Sequence, residues 1–397
     1  MSPASRPRDP RAAAILARHG HGALLPFLDA PDKRWFFGPY GQGAGATGVP
    51  DRPGCSGCAG GAACHDRADG GLVVFGRAGR VVVALGDPIG PGATAWSAFD
   101  EFVAACDRTG SIPGAYQVTD DARPRLEERG FRCLPIGREA LVDLATFDLS
   151  GPRRANIRHT VSRARRGGVR VDWYAQGLSE DRLATLLPDL ALVDARWRAT
   201  AGPAMGFTIS RFGPGALSAP AAVAIATGDD DRPVAFATFR PTGADGGYVL
   251  DLLRRIPGGV PGALEFCVAG AAAGLREAGV PVLSLGLAPL AGPDPAAAGL
   301  DERLLARAAA LVSPLYDVAG LAFFKDKFAP RWERRDLAAR GPLGLAAVVL
   351  GLLRLHLVPP GTGVGQAVLD AVAGLLPRSP RATPSEDDAP DHARPHA

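Results

Sequence analysis

Apolar and polar positions along this 397-residue chain fall into two successive runs of the same kind. In the first run, residues 10–19 have the spacing of a short helix and "KRWFFG" starts a strand. A glycine-rich stretch follows. Then "LVVFG" and "RVVVALG" are short apolar runs bounded by turn residues, the signature of strands joined by the tight turn "RAG". The Gly/Pro loop "GDPIGPG" (86–92) leads into a helix "TAWSAFDEFVAACDRTG", a strand near "GAYQV", a helix "DDARPRLEERG", and strands "FRCLPI" and "EALVDL". At Ser150 the pattern restarts. "SGPRRANIRHTVSRARRGG" is expected to be a helix with Ser150 as N-cap, Pro152 in its first turn and Gly167-Gly168 as its stop. A strand "VRVDWY", a helix over 180–198, a hairpin "AAVAIAT"/"RPVAFATFR", a strand "GGYVLDLL", a helix over 261–278, a buried strand "PVLSLGL" and helices at 299–311 and 316–328 complete the run.

Each run reads as a strand meander, a helix and another strand, which predicts an α/β fold of two lobes with mixed sheets. The expected division is an unstructured start (1–10), a first lobe (11–150) carrying a Gly/Cys-rich insertion (41–71), and a second lobe (151–340). An apolar helical segment (341–376) and a Pro-rich polar tail (377–397) follow. The apolar fraction of 47% and charged fraction of 21% are those of a globular protein. A net charge of +3 says little about partners, so the argument rests on where charge is concentrated.

Three cysteines, Cys106, Cys133 and Cys267, stand alone and read as small buried hydrophobes. The other three cluster in "CSGCAGGAACH", where Cys55, Cys58, Cys64 and His65 supply four soft ligands. Two readings are open: a structural zinc site, or a glycine-rich insertion with incidental thiols. The N-terminus lacks an apolar core long enough for a signal peptide. "GPLGLAAVVLGLLRLHLVPP" (341–360) is interrupted by Arg354 and His356, which predicts a buried or membrane-surface helix rather than a spanning one. A cytoplasmic location, peripheral on the membrane, is the expectation.

Chemistry concentrates in three places. Arg153, Arg154, Arg158, Arg163, Arg165, Arg166 and Arg170 crowd the helix at 152–167, with Ile157, Val161 and Ala164 as its buried stripe and no acid to pair with. Such a surface binds phosphates, or is a solvated face in an arginine-biased chain. In "YVLDLLRR", Asp251 interrupts an apolar strand and Arg254 follows three residues on. In regular extended backbone the two face opposite ways, so they converge only if the strand ends or bulges between them. An acid beside a cation there could orient or deprotonate a hydroxyl, or form a structural ion pair. Glu265 lies in the helix that follows. Third, only three of the 44 Lys and Arg residues are lysines, and two of them, Lys325 and Lys327, share the pentapeptide "FKDKF". On a helix Phe324 and Phe328 share a core face while the two lysines point differently.

Six motifs in order resemble a known family: "VVVALGDPIGP", "RRANIRHTVSRARRGGVRV", "MGFTISRF", "YVLDLLRR", "PVLSLGLAPL" and "LAFFKDKFAPRWERRDL". Over about residues 15 to 355 the chain is similar to the catalytic domain of the phosphatidylglycerol lysyltransferases. The resemblance implies tandem acetyltransferase-like (GNAT-type) lobes. It also implies transfer of an amino acid from aminoacyl-tRNA to the glycerol hydroxyl of phosphatidylglycerol, with no cofactor required. It marks Asp251, Arg254, Lys325 and Lys327 as catalytic candidates. The candidate substrate contacts in this reading are Glu265, Arg211 and Tyr316, with Arg154, Arg158, Arg163 and Arg166 of the arginine-rich helix. Two features depart from the family pattern: the Cys/His loop, and Leu287 where a methionine is common. The sequence also shows no counterpart of the family's membrane flippase domain. Competing readings are a Fem-type transferase acting on a peptidoglycan-precursor amine, an acyl-CoA N-acetyltransferase, and a non-catalytic lipid- or RNA-binding module. For the acyl-CoA reading, "RIPGGV" begins like the required pyrophosphate turn but puts Val260 where Gly or Ala belongs.

Overall fold

The computed structural model describes residues 9–38, 70–200, 206–289 and 318–357. Within these, the apolar runs build one continuous eleven-stranded sheet in the order β1-β2-β3-β4-β11-β5-β10-β9-β8-β7-β6. The strands are β1 (Arg34–Phe37), β2 (Leu72–Ala78), β3 (Val81–Leu85), β4 (Ile112–Val118), β5 (Arg132–Asp143), β6 (Arg170–Tyr174), β7 (Ala222–Thr227), β8 (Pro233–Pro241), β9 (Tyr248–Arg255), β10 (Val282–Pro289) and β11 (Arg331–Ala339). The mixed α/β architecture is the one expected.

Neighbouring strands are antiparallel except for β3–β4 and β9–β10, which are parallel. A parallel pair cannot be closed by a tight turn. Each is bridged by a long helix, α2 (Gly92–Arg108) and α7 (Ala263–Glu277). The strand order is therefore mirrored about the β11–β5 junction: β4 answers to β10, β3 to β9, and β2 to β8.

The junction is where the structure departs most from expectation. "FRCLPI" and "EALVDL" are one twelve-residue strand, β5, with its irregularity at Gly137 (φ 156°). A Cβ at Gly137 would lie 2.3 Å from the Ala288 carbonyl oxygen, so only glycine fits. Trp332 sits on a strand after the helix, β11, which inserts between β4 and β5. The charges of "RWERRDLAA" hid this strand, because they break the apolar/polar alternation. Arg335 pairs across the sheet with Glu139 of β5, and along β11 itself the Arg334 Nε donates to Asp336 Oδ1 at 2.7 Å.

The remaining helices are α1 (Pro10–His19), α3 (Arg123–Glu127), α4 (Ala155–Arg166), α5 (Glu180–Arg198), α6 (Pro214–Leu217), α8 (Val318–Asp326) and α9 (Gly341–Leu357). Ser150 does not cap α4. The helix starts at Ala155 with Arg154 at the cap position, and the Ser150 hydroxyl donates to Asp148 at 2.7 Å instead. The predicted stop stands, with Gly167 as C-cap and Gly168 left-handed at φ 77°.

One face of the sheet is covered by α2 and α3 over the first half and by α4, α7 and α8 over the second. The other carries α1 and α9 over the first half and α5 and α6 over the second. The apolar segment 341–357 is thus a packed helix. Leu345, Val348 and Leu352 are buried on the sheet, while Leu343 (88% exposed) and Leu350 (67%) face outward. Among the described residues no helix is long and apolar enough to cross a membrane.

Candidate functional site

The mirrored halves differ where their parallel strands meet. β9 and β10 each have eight residues, yet only Leu283↔Tyr248 and Ser284↔Val249 are paired. Beyond that point β9 follows β8 and β10 follows β5, so the sheet splits. Both strands bulge there. On β9, Leu250 and Leu253 lie opposite Phe239 and Ala237, leaving one extra residue on β9, and the Leu252 amide donates to the Thr238 hydroxyl at 3.0 Å instead of to the ladder. On β10, Ser284 and Leu287 lie opposite Leu141 and Glu139, with Gly286 left-handed at φ 77°. A bulge bends its strand and re-aims the side chains beyond it.

This is the condition under which Asp251 and Arg254 share a face, and they do. Leu252 packs in the α5 cluster, and the Arg254 Nε donates to Asp194 Oδ1 of α5 at 3.0 Å. Arg254 is committed to that helix. Its guanidinium lies 3.8 Å from the Trp197 ring centroid, and Asp194 is shared with Arg198 at 2.7 Å. Asp251 is held differently. Its Oδ1 accepts the Ser210 amide at 2.9 Å, while its Oδ2 is buried with no hydrogen-bond partner. Burial raises its proton affinity, and the Ser210 contacts, Arg240 and Arg254 pull it back in part. Arg240, opposite Val249 on β8, has a buried Nε that is also without a partner. Buried polar atoms nearly always find partners, so two orphans of opposite sign on one face mark a place that a ligand completes.

A polar belt continues from here across the same face. The Ser284 hydroxyl donates to Glu139 Oε1 at 2.6 Å, the Arg335 Nε donates to Glu139 Oε2 at 2.9 Å, and Arg335 also reaches Glu333 at 3.1 Å. Lys325 comes from α8 into the bulge of β10. Its Nζ donates to the carbonyls of Gly286 at 3.0 Å and Leu287 at 2.6 Å. Burial brings this ammonium down to about 7, with Glu139 opposing. Lys327 points elsewhere, to Glu265 Oε1 of α7 at 2.7 Å. The third lysine, Lys33, is also buried, on Asp32 at 2.7 Å and over the Phe207 ring at 4.3 Å. All three lysines thus sit wholly or partly inside the fold on a defined partner, where a compact ammonium fits.

The arginine helix lies on the opposite face of the sheet from Asp251. Arg154 and Arg158 tie down the preceding loop, donating to the Thr146 carbonyl at 3.0 Å and the Leu149 carbonyl at 2.7 Å. Arg170 pairs with Asp231, and Arg165 lies over the Phe266 ring. Arg153, Arg163 and Arg166 are exposed and make no ion pair among the described residues. Arg211 is exposed, one residue from the Ser210 amide. Tyr316, the helix expected at 299–311, and Cys55, Cys58, Cys64 and His65 lie outside the described residues. Within those residues no group of His, Cys, Asp or Glu could hold a metal.

Ser210, Arg240, Asp194, Glu139, Ser284 and Arg335 were not singled out from sequence. Glu139 and Arg335 belong to strands whose partners are almost two hundred residues away, and no local signal reveals that. Arg240 ending the apolar strand "VAFATFR" could have been noticed as a cation at a strand terminus.

A family model described as phosphatidylglycerol lysyltransferase, C-terminal, matches residues 60–339. A phosphatidylglycerol lysyltransferase of Bacillus subtilis is 26% identical over 355 residues, which is 89% of this chain and 38% of that protein. The lysylphosphatidylglycerol biosynthesis bifunctional protein LysX of Mycobacterium avium is 32% identical over 233 residues, 54% of this chain and 19% of that protein. The chain therefore spans well under half the length of these relatives. The solved structure of L-PGS from Bacillus licheniformis superposes with a TM-score of 0.68 at 24% identity, covering 89% of this chain and 98% of that one. A C-terminal domain from Agrobacterium fabrum gives 0.69 at 24% identity, covering 87% and 96%. These two share the fold.

Proposed function

This chain belongs to the phosphatidylglycerol lysyltransferase C-terminal family, and from that premise we propose that it transfers an aminoacyl group from aminoacyl-tRNA to the glycerol hydroxyl of phosphatidylglycerol. The observation that carries this reading is the free Oδ2 of Asp251, buried where β9 and β10 part. A carboxylate with raised proton affinity and an open lone pair is suited to orient and deprotonate a hydroxyl. In the proposed step the lipid hydroxyl attacks the ester carbonyl and gives its proton to Asp251. The tetrahedral intermediate then expels the ribose oxygen, which takes that proton back. One ester is made as one is broken, so no further energy source is needed. Arg240 and Arg254 stabilise the carboxylate through space, and the Lys325 ammonium fixes the backbone of the opposite wall. Arg153, Arg163 and Arg166 offer the exposed guanidinium groups that tRNA phosphates require.

The acyl-CoA reading is disfavoured by the start of α7. A pyrophosphate needs the open N-terminal amides of that helix. Its first turn instead carries the Glu265 carboxylate, and Val260 packs close over Gly167, 3.2 Å from an added Cβ. Titration with CoA is expected to show no binding.

The test is turnover with lysyl-tRNA and phosphatidylglycerol vesicles, read by mass spectrometry of the lipid fraction, beside a parallel arm with a muropeptide precursor. Asp251→Asn should lower lipid aminoacylation by roughly 10²- to 10⁴-fold. Unchanged turnover in a folded Asp251→Asn protein removes the assignment, and product only in the muropeptide arm moves the chain to the Fem-type reading.

A further inference from the structure

We propose that Phe207 is a positioning residue for the Asp251 carboxylate: seated in the core of the first half, it fixes the segment 206–210, whose last amide holds Oδ1 and leaves Oδ2 free. The inference rests on Asp251 being the site carboxylate, and its test is built to separate the two.

The segment leaves the second half and returns to it, yet its anchor lies in the first. Phe207 is 4% exposed and belongs to the apolar cluster of α1, β2, β3 and α9. Its ring stands edge-on to His356 at 5.4 Å between centroids, lies 6.4 Å from Tyr116, and carries the Lys33 ammonium at 4.3 Å. The Gly206 amide donates to the His356 carbonyl at 2.9 Å, so α9 grips the strap immediately before the ring. Phe207 takes a left-handed φ of 68°, which a bulky residue adopts only where its surroundings demand it. Three residues later the Ser210 amide meets Asp251 Oδ1 at 2.9 Å. The apolar anchor and the polar contact are therefore two ends of one short segment.

The sheet beneath has been shaped for the ring. A Cβ on Gly76 of β2 would lie 2.5 Å from Phe207 Cε2 and 3.0 Å from Leu355 Cδ1. Gly76 is not left-handed, so alanine is compatible with its backbone and the cost falls on the aromatic ring. That makes Gly76→Ala a remote lever on the strap, a variant on the other half of the sheet that touches nothing in the site.

Charged groups near Asp251 are Arg240 on β8, Arg254 on β9, and, on α5, Asp194, which binds both Arg254 and Arg198. Around the anchor are Lys33, Asp32 and His356, whose proton affinity is lowered by burial. None of these residues is substituted in the variants below. An amide donating to a carboxylate favours its charged form. Losing the Ser210 contact therefore raises the Asp251 titration further, and any activity limb that needs the carboxylate moves to higher pH.

The experiment is a carbon-13 NMR titration of the Asp251 carboxyl in wild type, Ser210→Pro, Gly76→Ala and Phe207→Leu, with turnover measured on the same samples. Ser210→Pro deletes the donor itself, and the other two disturb only the anchor. All three should shift the Asp251 midpoint upward. They should also lower kcat by about tenfold, the worth of one hydrogen bond to a charged group, with little change in KM. If Ser210→Pro shifts the midpoint while Gly76→Ala and Phe207→Leu leave it at the wild-type position, Phe207 is only a core residue and the proposal is overturned. A midpoint that none of the three moves overturns it as well. Should the three variants shift the midpoint as expected while the wild type transfers no aminoacyl group, the positioning role stands and the functional reading fails.

Discussion

The β3–β4 and β9–β10 pairs are topological counterparts with opposite fates. In the first half, β3 and β4 are in register from Val81↔Ile112 to Leu85↔Tyr116 with no shift between them, although β4 bulges at Gln117 (φ 59°) against β11. Every residue of β3 is buried, and α9 and α2 close over its two sides. In the second half the equivalent pair holds for two residues, both strands bulge, and the opened edge carries Asp251, Ser284 and the carbonyls that Lys325 clamps. One framework thus yields a sealed hydrophobic junction on one side and a polar split on the other. The difference lies in what the strands carry, not in their order. An all-apolar strand gains most by pairing along its whole length. A strand with Asp251 in its middle has a group that is costly to seal in without a partner.

The largest effect should come from forcing the first junction to resemble the second. Val83→Asp places an unpaired carboxylate under α9 at a position with no exposure, and should cost more than about 4 kcal/mol, visible as failure to fold or loss of the thermal transition. A stable Val83→Asp protein would falsify the claim that this junction is sealed. Next, Glu139→Ala strips the partner from Arg335 and from the Ser284 hydroxyl where β11, β5 and β10 meet. Breaking a buried pair on one side costs roughly 3–5 kcal/mol, measurable by urea denaturation. Glu139→Gln should recover part of the loss by keeping the Ser284 contact.

A smaller effect of opposite sign is expected at Asp251. Its proton affinity is raised in the fold, so its contribution to stability is present at low pH and is lost as pH rises through its folded value. Above that value the ionised group is a cost, and Asp251→Asn should raise Tm by about 2–4 °C while lowering turnover by the roughly 10²- to 10⁴-fold expected for loss of a general base. A lower Tm in that variant would mean the site is already satisfied without ligand. The smallest effect is expected on the outer side of α9, where Leu350→Gln should change stability by less than about 0.5 kcal/mol, since Leu350 is 67% exposed.

Much of the second half could be read directly from residue order. The helix expected over 180–198 is α5, and the Ser179 hydroxyl caps it by accepting the Arg182 amide at 3.4 Å. The pairing of Asp251 with Arg254 on one face was legible only as a condition, that a bulge must lie between them. The bulge itself depends on the Thr238 hydroxyl of a neighbouring strand. Lys325 and Lys327 stood out because lysine is scarce here, and the geometry separates them, one onto β10 carbonyls and one onto Glu265. The Ser150 cap was misplaced because a serine near a helix start has other acceptors, here Asp148.

The sequence by itself determined the local elements, the two like runs, the buried stripe of α4 and the family, because these depend on residue spacing and order over short stretches. Tertiary structure decided that β11 lies between β4 and β5, that α9 covers the first half, and that Phe207 plugs a core far from the carboxylate its segment holds. Those choices are made by contacts between residues one or two hundred positions apart. Their energy comes from charges and apolar surface that find partners only once the sheet is assembled.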